Sequence, residues 1–312
     1  MSAFFRVAFL ALILGSSSLV GCRQAAVPEQ VQAVNQIPLT VSIEPQKYFV
    51  ERIGGDRVNV NVMVPIGTDP HTYEPKPDQM RALAGSKAYF RIGGDLEDAW
   101  MPRLLAANSN LNIVDTSQNI EKIPTVGHSH DHGHDHGHDK AEKAAPETGE
   151  SLDSHIWLSP QRVKQQAQTI YQSLVKLDPQ HQAEYEANLK KFTQDLDSLD
   201  QDIRQQLTGL KHKTFMVFHP EWGYFAKDYG LTMVAIEVEG SEPSAAELAD
   251  IIKEAKEKQI KVIFTQPEFS PQTSNAIAQE IGAKVIPISA FSADWLNNMR
   301  QVSQTLATEL KS

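Results

Sequence analysis

Short strand patterns alternate with helical patterns along most of this chain. Strands are predicted at 39–43, 58–64, 88–92, 112–114, 214–218, 232–236, 261–264 and 284–288. A strand that is followed by a helix and then by another strand favours a parallel sheet covered on both faces. The fold class is therefore α/β, with two doubly wound (β/α) lobes of similar plan.

Two of the helical patterns carry clear start signals. Ser159 is a suitable N-cap, and Pro160 fits the first helical position. Ser244 precedes a second helix over 245–258, with Glu247 at the capping-box position. These signals favour helices that begin at both places.

A long helical pattern separates the two halves of the chain. After Asp178 it runs to about residue 207. Its apolar side chains form one narrow stripe of Tyr185, Leu189, Phe192, Leu196, Leu199, Ile203 and Leu207. Such a helix is suited to lie across both lobes, with a coiled-coil dimer as the open alternative. The predicted boundaries are an N-terminal lobe at 39–178, a bridging helix at 179–209 and a C-terminal lobe at 210–312.

The first residues follow the pattern of a leader for export. One basic residue, Arg6, precedes an apolar run at 7–14 that is too short to span a bilayer. The following LVGC resembles a bacterial lipobox, in which the signal is cleaved before the cysteine and the thiol is acylated. We expect a lipoprotein signal peptide at 1–21, a lipid anchor at Cys22 and a polar tether at 22–38. With this single cysteine the chain has no internal disulfide and no cysteine-based zinc site.

Residues 127–151 contain no large apolar side chain, which predicts a disordered insert. The insert holds a histidine run of His128, His130, His132, His134, His136 and His138. Imidazole is a common ligand of late first-row metals, so a transition metal ion is the first candidate ligand; a polar insert without a specific role is the alternative. Fixing one geometry in a flexible segment loses much conformational entropy. We therefore interpret the run as an accessory metal collector or sensor.

Three other histidines stand where a cleft is expected. His71 follows the strand at 58–64, His219 follows the strand at 214–218, and His155 precedes a helix. The carboxyl ends of parallel strands form the crevice in which such proteins bind ligands. For any one of the three, a hydrogen bond to nearby backbone is an equal alternative. Together, and beside the histidine run, they favour a shared metal site.

A resemblance becomes specific at these residues. Four segments resemble, in this order, motifs of the solute-binding proteins of metal-specific ABC importers: GTDPHTYEPKP, DSHIWLSP, VFHPEWGYF and FTQPEFSPQTSNAIAQEIGAKV. The resemblance covers nearly the whole chain from about residue 39. It implies metal ligation by His71, His155 and His219, and a histidine- and acid-rich insert is characteristic of the zinc members. Manganese members usually have a glutamate in place of His219, and neutral imidazoles suit zinc better than manganese.

The chain departs from the pattern of this family at two places. The aspartate expected after the last strand is Ser289, and the expected Glu-Pro pair is Gln266-Pro267, with Glu268 displaced by two. The site would then hold three imidazoles and a water, or a nearby carboxylate such as Glu74 or Glu239 would complete it. Without a charged ligand, we expect lower zinc affinity or faster exchange.

The leading prediction is a lipid-anchored, periplasmic receptor, a monomer and not an enzyme. It would bind Zn²⁺ as its transported ligand and deliver it to an ABC permease in the inner membrane. The net charge of −10 argues against a nucleic-acid partner. The alternatives are a receptor for manganese or another divalent metal, and a surface zinc buffer or adhesin. A zinc hydrolase is disfavoured, because no general base or nucleophile motif accompanies the histidines.

Overall fold

Two parallel sheets of four strands each carry the fold in the computed structural model, which describes residues 36–127, 151–238 and 240–311. The first sheet has the order β2-β1-β3-β4 and consists of β1 (Ile37–Val41), β2 (Val58–Val62), β3 (Ala88–Arg91) and β4 (Asn112–Asp115). The second has the order β6-β5-β7-β8 and consists of β5 (Thr214–Val217), β6 (Thr232–Ala235), β7 (Val262–Thr265) and β8 (Lys284–Pro287). Both lobes thus share one topology, which confirms the predicted fold class.

The helices cover the sheets and connect their strands. They are α1 (Glu44–Gly54), α2 (Pro77–Ala84), α3 (Asp95–Ala107), α4 (Pro160–Leu177), α5 (Gln182–Gln206), α6 (Gly223–Tyr229), α7 (Ala245–Glu257), α8 (Gln272–Ile281) and α9 (Trp295–Lys311). The two start signals are confirmed: Ser159 caps α4, and Ser244 caps α7 within a capping box. Among the described residues, no helix is both long and apolar enough to cross a membrane.

The N-terminal lobe begins two residues earlier than predicted. Ile37 and Pro38, placed in the tether by the sequence pattern, belong to β1 and pair with Val58 and Asn59 of β2. Pro38 can start a strand because it lacks only a donor, and its carbonyl accepts from Lys87 at 2.8 Å. The tether boundary at residue 38 is therefore corrected by the pairing of the strands.

Several predicted features lie outside the described residues, namely the signal peptide, Cys22, Glu239 and the histidine run of His128 to His138. The chain on either side of this run is paired. Pro124 and Leu152 form an antiparallel bridge, and the Thr125 N–H donates to the Ser151 carbonyl at 2.9 Å. We call residues 123–125 and 151–153 the stem. The insert thus leaves and re-enters the lobe at one place.

Helix α5 packs against both lobes, as its apolar stripe predicts. Within the predicted range it covers Gln182–Gln206, preceded by a single 3₁₀ turn. It contacts α1 and α4 of the first lobe and α9 of the second. The Phe192 ring lies 5.9 Å from that of Phe49 in α1, which in turn lies 5.1 Å from Trp295 in α9. Because this chain itself buries the stripe, α5 offers no apolar seam for a coiled-coil dimer.

The two lobes share one hydrophobic core, which runs from the first sheet through α5 to the second. Two indole groups tie the lobes together within it. Trp157, just before α4, donates to the Ala290 carbonyl at 2.9 Å, and Trp295 donates to the Trp157 carbonyl at 3.0 Å. All three side chains are buried. The segments that carry His155 and Ser289 are therefore fixed to each other.

Replacing Phe192 with alanine would leave a cavity where α5 meets α1. We expect Phe192→Ala to lower the free energy of unfolding by about 3–5 kcal/mol, measured by urea denaturation. Lys190→Ala, at an exposed position of the same helix, is the control and should change it by less than about 0.5 kcal/mol. Equal stability of the two variants would contradict the packing described for α5.

Candidate metal centre

His71, His155 and His219 come together from three distant parts of the chain. One ring nitrogen of each lies within 4.8 Å of those of the other two, and the Nε2 atoms of His71 and His219 are 3.1 Å apart. Zn–N bonds of about 2.0–2.1 Å at tetrahedral angles place ligand nitrogens about 3.3 Å apart. Small movements of the side chains would therefore bring all three nitrogens onto one ion.

The topology of the sheets explains why these residues meet. His71 lies in the connection from β2 to α2, and His219 stands two residues after β5. His155 stands directly before the 3₁₀ turn Ile156–Leu158, which leads into α4. Strand carboxyl ends meet at one edge of each parallel sheet, and the two lobes present these edges to each other. Both lobes thus contribute side chains to the site.

Two carboxylates orient the buried histidines. His155 and His219 are 5% and 8% exposed, whereas His71 is exposed. Asp153 Oδ1 lies 2.7 Å from His155 Nδ1, and Glu237 Oε2 lies 2.6 Å from His219 Nδ1. A carboxylate accepts, so each Nδ1 donates and each Nε2 keeps its lone pair for a metal.

Glu237 is a functional residue that the sequence analysis missed. It stands two residues after β6, as His219 stands two residues after β5, and β5 and β6 are paired neighbours. Residues at equal offsets beyond adjacent parallel strands lie side by side. The signal that would have found Glu237 is therefore this offset, together with the strand order.

Gln266 supports the backbone of His219. Its Nε2 donates to the His219 carbonyl at 2.7 Å, and its Oε1 accepts from the His219 N–H at 3.4 Å. The ring of Phe269 stacks on that of His219, with centroids 5.1 Å apart. An amide can both donate and accept, which an ionised glutamate cannot. The departure from the family pattern at Gln266 thus fixes a ligand candidate in place.

The described residues add no carboxylate to the three-histidine group. Glu74 is exposed and forms an ion pair with Arg103. Ser289 uses its hydroxyl to accept from the Phe291 N–H at 3.3 Å. Glu239 lies outside the described residues. The arrangement therefore offers a metal three imidazoles and leaves a further coordination position for water.

Two further carboxyl groups lie near the site without a hydrogen bond to histidine: Glu221 is buried, and Glu268 is half-buried. Burial raises the pKa of Glu221 well above its usual range, and the neighbouring Glu268 raises it further. Burial also raises the pKa of Glu268. A carboxyl group with a raised pKa stays uncharged to higher pH than usual. The raised pKa of each group therefore disfavours a negative charge beside His219.

Comparison with known proteins places this geometry in a family. The family described as zinc-uptake complex component A, periplasmic (ZnuA), matches residues 39–309. The high-affinity zinc uptake system protein ZnuA of Bacillus subtilis is 30% identical over 254 residues, which cover 80% of this chain and 77% of that protein. The zinc-binding lipoprotein AdcA of Streptococcus pneumoniae is 28% identical over 275 residues, or 86% of this chain. The match spans only 52% of the length of AdcA.

A solved structure gives the same result for the fold. The crystal structure of a deletion mutant of ZnuA with zinc bound has a TM-score of 0.79 and 43% sequence identity. The match covers 89% of this chain and 99% of that chain. The sequence and the structural comparison therefore each cover most of the chain.

Gly223, the first residue of α6, leaves room for Asp153. A Cβ atom at Gly223 would lie 2.7 Å from Asp153 Oδ2, closer than van der Waals contact allows. Asp153 cannot turn away freely, because its other oxygen accepts from both the N–H and the Nδ1 of His155. The site therefore requires glycine at this position.

We expect Gly223→Ala to lower the free energy of unfolding by about 1–3 kcal/mol, because the new methyl group displaces a buried carboxylate. Urea denaturation measures this loss. Gly85→Ala is the matched control: its φ is −88°, and its Cβ would meet only the Ala82 carbonyl, at 3.6 Å. That variant should be neutral or up to about 1 kcal/mol more stable. A neutral Gly223→Ala would contradict the close packing of Asp153.

Proposed function

The chain belongs to the family of zinc-uptake complex component A, and we propose that it is an extracytoplasmic receptor delivering Zn²⁺ to an ABC permease. The observation that carries the proposal is the meeting of three imidazoles from both lobes within 4.8 Å. His71, His155 and His219 are the proposed ligands. The chain is a binding receptor and not an enzyme, in keeping with its family.

The donor set supports zinc over manganese as the cargo. Neutral imidazole nitrogens suit zinc, whereas manganese prefers carboxylate oxygen. The two carboxylates that orient the histidines act through Nδ1 hydrogen bonds and raise the basicity of the ligand nitrogens. His155 and His219 are buried and His71 is exposed, so we propose that the ion enters and leaves on the His71 side.

The anchor and the histidine run belong to the same proposal. We propose that Cys22 is acylated and holds a monomeric receptor at the outer face of a bacterial membrane. The lipobox-like sequence supports this, as does the description of the AdcA relative as a lipoprotein. The stem ends at Asp153, which orients His155. The described stem thus lies beside a proposed ligand, which supports a role for the run in collecting zinc.

The triple variant His71→Ala, His155→Ala, His219→Ala tests the site. Removing only the hydrogen-bond partners of metal ligands costs about 10–100-fold in metal affinity, so loss of all three ligands should weaken zinc binding by more than about 100-fold. Competition with a chromophoric chelator measures the affinity of the tight site. His212→Ala, outside the site, should bind as the parent does. Undiminished tight binding by the triple variant would rule out these ligands.

Ser289→Asp tests the missing fourth ligand. An aspartate after β8 adds a charged oxygen ligand, so zinc should dissociate more slowly and bind about tenfold more tightly. Stopped-flow transfer of zinc to a chelator measures the dissociation rate. Ser289→Asn has nearly the same volume without the charge and should match the parent. If both variants release zinc at the parental rate, the serine does not limit affinity.

A further inference from the structure

Tyr224 links the second lobe to the loop that carries His155. It lies on α6, five residues after His219, and its hydroxyl donates to the Asp153 carbonyl at 2.7 Å. The same oxygen accepts from the Ile123 N–H at 3.3 Å. Both partners belong to the stem, on the first lobe. One side chain of the second lobe therefore holds both strands of the stem.

The ring of Tyr224 is fixed from its other side. The guanidinium carbon of Arg162, in α4, lies 4.5 Å from the ring centroid. Arg162 also donates to both carboxylate oxygens of Asp228, each at 2.7 Å, and Asp228 shares α6 with Tyr224. Ser159 donates to Asp228 as well, at 2.5 Å. Both members of the Arg162–Asp228 pair are largely buried, so breaking it is unfavourable.

These contacts join the two segments that hold the buried histidines. His155 lies between Asp153 and Ser159, both of which α6 contacts. His219 lies on the segment that leads into α6. We propose that Tyr224 is a positioning residue for the metal centre, which sets the separation of His155 and His219 through its hydrogen bond to the Asp153 carbonyl. This inference rests on the proposed function.

The hydroxyl is suited to this role. Burial raises the pKa of Tyr224 to about 12, so the phenol keeps its proton at neutral pH and can donate. Without it, the Asp153 carbonyl and the Ile123 N–H would lose a partner in a buried place, which is unfavourable for both. The backbone of Asp153 would then be less restrained, and the position of His155, which its carboxylate holds, would be less well defined.

Tyr224→Phe tests the proposal because it keeps the ring beneath Arg162 and removes only the hydroxyl. We expect zinc affinity to fall several-fold, less than the loss of about 10–100-fold that follows removal of a ligand's own hydrogen-bond partner, because Tyr224 acts through the backbone of Asp153. The visible absorption of the Co²⁺-loaded protein should change as well, since its bands report ligand geometry. Chelator competition and Co²⁺ titration measure the two effects. A change of overall stability alone would not alter the Co²⁺ spectrum.

Tyr229→Phe is the matched control. Tyr229 lies on the same helix, its hydroxyl donates to Asp200 at 3.0 Å, and Arg204 lies 5.2 Å from its ring. This variant should keep parental zinc affinity and the parental Co²⁺ spectrum. If Tyr224→Phe matches it in both measurements, Tyr224 does not position the site. Failure of the parent protein to bind zinc through its three histidines would instead overturn the proposed function.

A second variant, Asp228→Asn, provides an independent test if Tyr224→Phe does not fold. Asp228→Asn weakens the contact with Arg162 and leaves the Tyr224 hydroxyl in place. We expect lower zinc affinity and a shifted Co²⁺ spectrum here too, because α6 is then held less firmly against the first lobe. Parental zinc affinity and a parental Co²⁺ spectrum in a folded Asp228→Asn protein would show that α6 does not position the histidines.

Discussion

The hydrogen bond between a buried imidazole and a buried carboxylate is the constraint on which the site depends. Asp153 and Glu237 each occupy the Nδ1 of one histidine, and this leaves the Nε2 atoms facing a common point. Each carboxylate needs a fixed backbone: that of Asp153 is held across the lobes by Tyr224, and that of Glu237 within the second lobe by the Phe218 carbonyl. The shared core and the bridging helix α5 therefore stabilise the metal centre, because they hold the two lobes together.

The two carboxylates also offset the positive charge of a bound zinc ion. Three imidazoles bring no charge to a dication, and Ser289 stands where the family pattern places an aspartate. The carboxylates lie one ring away, where they offset the charge through the imidazoles. Direct carboxylate ligation would hold the ion more firmly but would also slow its release to a permease. A centre whose negative charges lie on Asp153 and Glu237, and not on the ligands themselves, is suited to a receptor that must release its ion.

Local sequence patterns were sufficient for much of this structure. Strand alternation, helix caps and the stripe of α5 depend on neighbouring residues, so both lobes and the bridge could be predicted. The placement of His71, His155 and His219 beyond strands or before a helix also followed from local signals. Their role as ligands remains a prediction. Glu237, Gln266 and Tyr224 could not be found, because their partners lie 18, 47 and 71 residues away and depend on strand order and lobe contact.

Because the stem is paired, the metal centre does not depend on the length of the insert. The Thr125–Ser151 hydrogen bond joins the two sides of the stem, and the strands described in both sheets pair with one another outside the insert. Each doubling of a flexible loop adds only about 0.6 kcal/mol of closure entropy. We therefore expect insertions and deletions between the two sides of the stem to change the free energy of folding little. The length and composition of the histidine-rich segment can then change without a change in the sheets that hold the metal centre.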